Sequence, residues 1–253
     1  MTPASADPGH GHGRIIVENL WQEFRPRSVH GHRRRGDTLW ALRDVSFTVR
    51  SGRALGVIGQ NGSGKTTLLK TLAGVLAPSR GSVATHGRVS SLIDLTAGVN
   101  RDLTGNENIM LGGVLLGMTR AEVRAKYDEI VRFSGLTHSF LEQPLSAYST
   151  GMGLRVAFSV VACSEPSILL VDEVLAVGDE AFQRDCLERI NAFRDAGCAI
   201  VIASHDLDIV AAHTDWVLVL QNGEVTHAGE PAPTITAYEE AMRGGVSSPK
   251  KEP

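Results

Sequence analysis

The sequence predicts an α/β chain: a mainly parallel sheet, an antiparallel β part at the N-terminus and an α-helical sub-domain inserted near the middle. Three observations carry this. The short apolar runs at 54–58, 168–171 and 199–203 have the length and composition of strands covered on both faces, as parallel sheets require. The first two precede helical periodicity, with Leu68, Leu69, Leu72 and Val75 after one, and Phe182, Cys186, Ile190 and Phe193, closed by Gly197, after the other. From Thr104 to about residue 162 the pattern turns helical. Two capping boxes, Thr104-Gly105-Asn106-Glu107 and Thr119-Arg120-Ala121-Glu122, each open a helix by satisfying its first free N–H groups, and the second helix places Val123, Tyr127, Ile130 and Val131 on one face.

In chain order, residues 1–13 are rich in Gly, Pro, Ala and His and are expected to be a disordered tail. Residues 14–20 form a first strand, and 45–49 a second that ends at the turn Ser51-Gly52. Between them lie Arg25, Arg27, Arg33, Arg34 and Arg35 with His30-Gly31-His32. This basic segment reads either as a contact to anionic headgroups or a membrane partner, or as a solvated loop. Residues 216–220 and 224–226 flank Asn222-Gly223, the signature of a hairpin with a type I′ turn. Residues 14–243 thus read as one compact unit, 244–253 as a disordered tail, and no internal repeat is present.

With 253 residues the chain buries a substantial core. Its net charge of −3 supplies no general attraction to nucleic acid. No apolar run approaches the ~18 residues of a membrane span, and the N-terminus lacks the apolar stretch of a secretory signal, so a cytoplasmic location is expected. Cys163, Cys186 and Cys198 match no metal-ligand spacing and read as small buried apolar residues.

The chemistry starts at Gly59-Gln60-Asn61-Gly62-Ser63-Gly64-Lys65-Thr66-Thr67, a full phosphate-loop pattern between strand and helix. Its glycines let successive N–H groups converge on a phosphate at a helix N-terminus. Lys65 should reach the β- and γ-phosphates of ATP, the Thr66 hydroxyl should ligate Mg²⁺, and Thr67 should help to hold the α-phosphate. The 168–171 strand runs into Asp172-Glu173: Asp172 is placed to hold Mg²⁺ through its hydration shell, and Glu173 to act as the general base on the attacking water. Ser204-His205 ends the next parallel strand at the edge where such sheets bind ligands, so His205 can bond the γ-phosphate and fix the water, or serve packing alone. Together these predict a P-loop NTPase (RecA-like) core.

The remaining constellation, Tyr148-Ser149-Thr150-Gly151-Met152, precedes a helix with Arg155, Val156, Ala157 and Val160. Phosphate loop, helical insertion, Ser-x-Gly signature, Asp-Glu strand and terminal His, in this order, resemble the nucleotide-binding subunit of an ATP-binding cassette (ABC) transporter. Tyr148 to Met152 with Gly153-Leu154-Arg155-Val156-Ala157-Phe158, and Thr96-Ala97-Gly98-Val99 with 103–109, resemble the branch that exports O-antigen, capsule and teichoic acid. The resemblance spans about 15–242. It implies a homodimer in which each ATP lies between the phosphate loop of one copy and Ser149, Thr150 and Gly151 of the other, working with a separate membrane permease and peripheral to the cytoplasmic face of the membrane.

Two positions depart from the family pattern. Its loop glutamine has no counterpart here, since no Gln occurs between Gln60 and Gln143; Asp94 is the nearest polar substitute, as a metal-side carboxylate or a surface residue. The aromatic residue that stacks on adenine is assigned to Trp40, with Phe24 and Trp21 as alternatives. The rival readings are an ATPase of a drug or lipid exporter, a binding module that does not hydrolyse ATP, and a clamp acting on nucleic acid. Some members of the branch append a carbohydrate-binding domain, and the chain ends too soon after Met242 to hold one, so cargo recognition is expected in the permease.

Overall fold

A computed structural model describes residues 13–24, 39–93, 99–172 and 179–244. Two strands, β1 (Arg14–Phe24) and β2 (Leu39–Val49), lead into β3 (Ala54–Ile58) and helix α1 (Lys65–Leu72), followed by β4 (Arg80–His86) and β5 (Val89–Leu92). The helical block is α2 (Gly105–Leu115), α3 (Arg120–Ala125), α4 (Tyr127–Ser134), the short α5 (His138–Leu141), one 3-10 turn and α6 (Thr150–Ala162). The core then resumes with β6 (Ile168–Asp172), α7 (Glu180–Asp195), β7 (Ala199–Ala203), α8 (Leu207–His213), β8 (Trp216–Gln221), β9 (Glu224–Gly229) and α9 (Pro231–Gly244).

Two sheets result. The antiparallel one has the order β2-β1-β4, and the six-stranded one β5-β6-β7-β3-β8-β9, parallel throughout except for β9. In the central strands alternate residues serve opposite faces. Leu55, Val57, Leu170 and Val201 pack with Leu68, Leu69 and Leu72 of α1 beneath the antiparallel sheet. Leu169, Val171, Ile200 and Ile202 pack against Phe182, Cys186 and Ile190 of α7. Each such side chain contributes about 1.5–3 kcal/mol on burial, which explains why these strands are uniformly apolar. The helical block closes on its own core of Ile109, Val123, Ile130, Leu141 and Val156.

Both capping boxes form. Thr104 Oγ1 accepts from Glu107 N (3.2 Å) while Glu107 Oε2 accepts from Thr104 N (2.8 Å), and Thr119 and Glu122 repeat the exchange at 3.2 and 2.6 Å. Those bonds hold both glutamate carboxyls below the usual carboxylate range. Asn222 and Gly223 take φ of 50° and 83°, as a type I′ turn requires.

The structure corrects several expectations. Helix α1 stops at Leu72, Gly74 turns at φ 73°, and Val75, read as part of the helical spacing, lies beyond the helix and is 69 % exposed. The helix opened by Thr119 is two helices, broken at Lys126 (φ −96°, ψ 0°), although Val123, Ile130 and Val131 still share one core. Strands β1 and β2 run on past residue 20 and begin before residue 45, and β4, β5, α8 and α9 add to the predicted elements. Gly13 is buried and α9 ends at Gly244, while the rest of the two segments read as tails, residues 1–12 and 245–253, lies outside the described residues.

Burial pushes the thiols of Cys163, Cys186 and Cys198 up to about 12. A free cysteine ionises near about 8.5, and the thiolate is the nucleophile. In the folded protein at about pH 8 none of them should react with iodoacetamide, whereas all should in denaturant. Mass spectrometry of the two samples checks this, and adducts on the native chain would show that the cores open readily.

Candidate active site

Strand register builds the site. Val57 of β3 and Asp172 of β6 both pair with Ala203 of β7, so the C-terminal ends of three parallel strands finish in one row. Onto that edge β3 delivers the loop 59–64, which runs into α1 with Gly64 (φ 112°) as N-cap. A Cβ on Gly59 would collide with Leu220 O, and one on Gly64 would lie 2.5 Å from Ala41 O. Only glycine lets the loop sit this close to β8 and β2. The loop is also tied from outside: Gly223 N donates to Ser63 O (3.0 Å), and Gly223 O accepts from Arg43 N (2.8 Å).

Lys65 is 6 % exposed, and its Nζ donates to the carbonyls of Gly59 (2.8 Å) and Gln60 (3.2 Å), which centres the ammonium on the loop. The N–H groups of the first turn of α1 have no acceptor within the helix. They and the ammonium offer positive charge to an anion at one point. Ser63 Oγ is buried and finds no hydrogen-bond partner among the described residues, an orphan that a phosphate oxygen would satisfy. Thr66 Oγ1 donates to Asp172 Oδ2 at 3.0 Å, so a strand end and a helix start 106 positions apart set two hard oxygen donors together. No cluster of three or more His, Cys, Asp or Glu able to hold a metal occurs among the described residues. Two oxygens beside a phosphate cradle suit Mg²⁺, which keeps waters and takes substrate phosphates rather than an all-protein cage.

Beside the loop lies a hollow of about 340 Å³, lined by Phe24, Leu39 and Trp40 on one side and by Asn61, Gly62 and 64–67 on the other. Trp40 is therefore brought to the phosphate loop, and so is Phe24. Trp21 does not line the hollow; it meets Trp40 edge to face at 5.3 Å. Gln60 reaches out to Met242 Sδ (3.2 Å). His205 follows Ser204 at the end of β7 and is exposed. Glu173, Asp94 and the basic segment lie outside the described residues.

The signature sits elsewhere. Ser149 is the N-cap of α6, its Oγ accepting from Met152 N at 3.3 Å, and with Thr150 it lines a separate hollow of about 130 Å³ beside Arg101 and Tyr148. None of Ser149, Thr150 and Gly151 lines the hollow at the phosphate loop of the same chain. One connection has no counterpart in the sequence reading: Arg155 Nη2 pairs with Asp179 Oδ2 at 2.7 Å, and its guanidinium lies 4.5 Å from the Phe182 ring. Asp179 caps α7, and the Phe182 N–H, with Arg155 beside it, holds its carboxyl below the usual range. An Asp just before a helical run signals the cap, but nothing local signals its pairing with α6.

The model for "ABC transporter" matches residues 42–176, a stretch that contains the phosphate loop, the signature and Asp172. The chain belongs to the ABC transporter family. Among relatives of this cassette, the O-antigen export system ATP-binding protein RfbB of Myxococcus xanthus is 39 % identical over 245 residues, 90 % of this chain and 56 % of the relative. RfbB of Klebsiella pneumoniae is 42 % identical over 208 residues, covering 82 % of this chain and 84 % of its own. The teichoic acids export ATP-binding protein TagH of Lactococcus lactis is 39 % identical over 213 residues, 84 % of this chain and 45 % of its own. The cassette thus spans about half of two of these relatives and most of the third. In fold it matches an ATP-binding subunit of an ABC transporter with a TM-score of 0.74 at 22 % identity, covering 92 % of this chain and 99 % of the other. A dimeric ATP-binding cassette in a post-hydrolysis state with ADP and Pi matches at 0.72 and 18 % identity, covering 86 % and 98 %.

Proposed function

We propose that this cassette hydrolyses ATP to drive export of a lipid-linked polysaccharide, of the O-antigen, capsule, galactan or teichoic-acid kind, through a separate membrane permease. The pairing of Thr66 with Asp172 beside a complete phosphate loop is the observation that carries ATP hydrolysis. The cargo class rests on relatives at about 40 % identity that are named for O-antigen and teichoic acid export.

In this reading the loop N–H groups and Lys65 bind the β- and γ-phosphates, Trp40 takes the adenine, and Thr66 and Asp172 hold Mg²⁺, with Asp94 as a further carboxylate. The bound metal supplies neutralisation of charge on the phosphates. Glu173 accepts a proton from water as its oxygen bonds to the γ-phosphorus, the bond to the ADP oxygen breaks, and His205 holds the water or γ-phosphate in line. No nucleic acid takes part.

Each phosphate loop leaves its γ-phosphate side to be completed, and Ser149, Thr150 and Gly151 at the start of α6 present N–H groups and a helix dipole that no nucleotide of their own chain uses. A homodimer with ATP at the interface places them there. Moving a pair of subunits from mostly open to mostly closed takes about 5.5 kcal/mol of differential affinity. Two charge-assisted hydrogen bonds at each of two sites, at about 1.5–3 kcal/mol apiece, supply it. Hydrolysis removes the shared γ-phosphate and releases the pair.

The permease needs a surface. An apolar groove of about 420 Å³ runs between the core and the helical sub-domain, lined by Val89, Ile93, Leu116 and Val160 and rimmed by Val75 and Leu115, which are 69 % and 66 % exposed. An amphipathic permease helix laid there would rest the cassette on the cytoplasmic face of the membrane. The basic residues Arg25 to Arg35 would meet anionic headgroups.

The test of the function is reconstitution: in vesicles containing the cassette and its permease, ATP hydrolysis should rise when lipid-linked glycan is added and not when a drug-like amphiphile is. The reverse response would refute the cargo assignment. The in-trans role is checked with Ser149→Ala. ATP binding by the monomer should be unchanged, while the ATP-dependent dimer seen by sedimentation should be lost. Undiminished dimerisation would overturn the shared site.

A further inference from the structure

We infer that Arg80 is a positioning residue for the nucleotide: its guanidinium fixes the indole of Trp40 in the orientation that receives the adenine base. This rests on the reading of Trp40 as the base platform. Arg80 opens β4 directly opposite Trp21 of β1. Its guanidinium carbon lies 5.3 Å from the Trp40 ring centroid and 5.9 Å from that of Trp21, and the two indoles meet at 5.3 Å with an interplanar angle of 81°. The three side chains form a closed triangle.

Trp40 belongs to the wall of the hollow beside the phosphate loop, and Arg80 and Trp21 do not. They grip the ring from outside and leave its remaining surface to the ligand. Arg80 makes no ion pair among the described residues, so the two rings are its partners there. The strand end that carries it is itself pinned, with Ser79 N donating to Trp21 O (2.9 Å) and Ser79 Oγ accepting from Glu23 N (3.0 Å).

Physical chemistry gives this arrangement a purpose. Trp40 is half-buried in the first residues of β2, beside the exposed Leu39 and Phe24. A side chain immobilised on binding costs affinity, and one held beforehand does not. A cation over an indole face, together with an edge-to-face contact from a second indole, provides that hold without covering the ligand side. A Lys at position 80 keeps a cation but loses the flat guanidinium that can stack on a ring.

The experiment compares steady-state ATP hydrolysis by the full chain with its permease in three variants, Arg80→Ala, Arg80→Lys and Trp40→Ala, with inorganic tripolyphosphate as a competitor that has no base. Arg80→Ala should raise KM for ATP about two- to tenfold and leave kcat within about twofold. Arg80→Lys should recover part of the loss, and the inhibition constant of tripolyphosphate should not change. If Arg80→Ala fails to fold, Arg80→Gln keeps the stem, drops the charge and gives the same comparison. A raised KM in Trp40→Ala with an unchanged KM in Arg80→Ala overturns the role of Arg80 alone. An unchanged KM in Trp40→Ala overturns the base platform and the inference with it. Equal weakening of ATP and tripolyphosphate by Arg80→Ala would show a general structural role, and also overturns the proposal.

Discussion

Glu173→Gln is expected to lower ATP turnover by about two to four orders of magnitude. The amide keeps the size and shape of the side chain but cannot accept the proton of the attacking water. The chain directly before it is fixed: Leu170, Val171 and Asp172 pair in register with Val201, Ile202 and Ala203, and Asp172 is tied to Thr66. In the proposed role only the base is lost, so ATP should still bind. In the proposed dimer, with the γ-phosphate retained, the copies it joins have no cue to separate, and dimers should accumulate. Phosphate release measured beside size-exclusion chromatography in ATP reads both effects. A variant that turns over at the parent rate would mean that another group takes the proton.

Lys65→Ala should act one step earlier, on binding. The ammonium sits within the loop on the carbonyls of Gly59 and Gln60, already stripped of most of its water. Two charge-assisted bonds to phosphate, at about 1.5–3 kcal/mol each, correspond to a loss of about 10² to 10⁴ in ATP affinity. Removing the side chain also leaves those carbonyls without their donor, so the loop itself should loosen. Calorimetric titration with ATP checks the first effect, and the melting temperature without nucleotide the second. Affinity within about threefold of the parent would remove Lys65 from the phosphate site.

What could be read from sequence follows from how local each signal is. The phosphate loop occupies nine consecutive residues, and the structure forms it as a loop running into α1 with glycine at its close approaches. The buried strands were legible because a surface covered on both faces admits only apolar residues, and the capping boxes because their bonds span three positions. Strands β4 and β5 are hard to read because each lies at a sheet edge, where Ser, Thr, His and Arg are admitted and the alternation is diluted. Val75 misled because periodicity cannot see a helix end, whereas Gly74 beside it marked one. The break at Lys126 leaves no mark in composition.

The site divides in the same way. Thr66 and Asp172 were each recognisable as the end of an element, and the shared register of β3, β6 and β7 explains why ends so distant in sequence coincide. Trp40 comes to lie beside the loop because β2 begins at Leu39, so its first residues run alongside the loop, with Ala41 O against Gly64. The grip of Arg80 on Trp40 depends on pairing between β1 and β4, which no local pattern encodes. The signature could be recognised but not placed, because its counterpart in the proposed site belongs to a second molecule.

The turn at Asn222-Gly223 does not line the hollow at the phosphate loop, yet one glycine there bonds the phosphate loop with its amide and strand β2 with its carbonyl. It is a rivet between the floor of the site and the wall that bears the indole. The height of one relative to the other, and hence, in the proposed site, the span from triphosphate to base, is set by a hairpin tip that looks like mere connecting chain. Drift at that tip would detune fuel recognition while leaving every residue that meets the fuel intact.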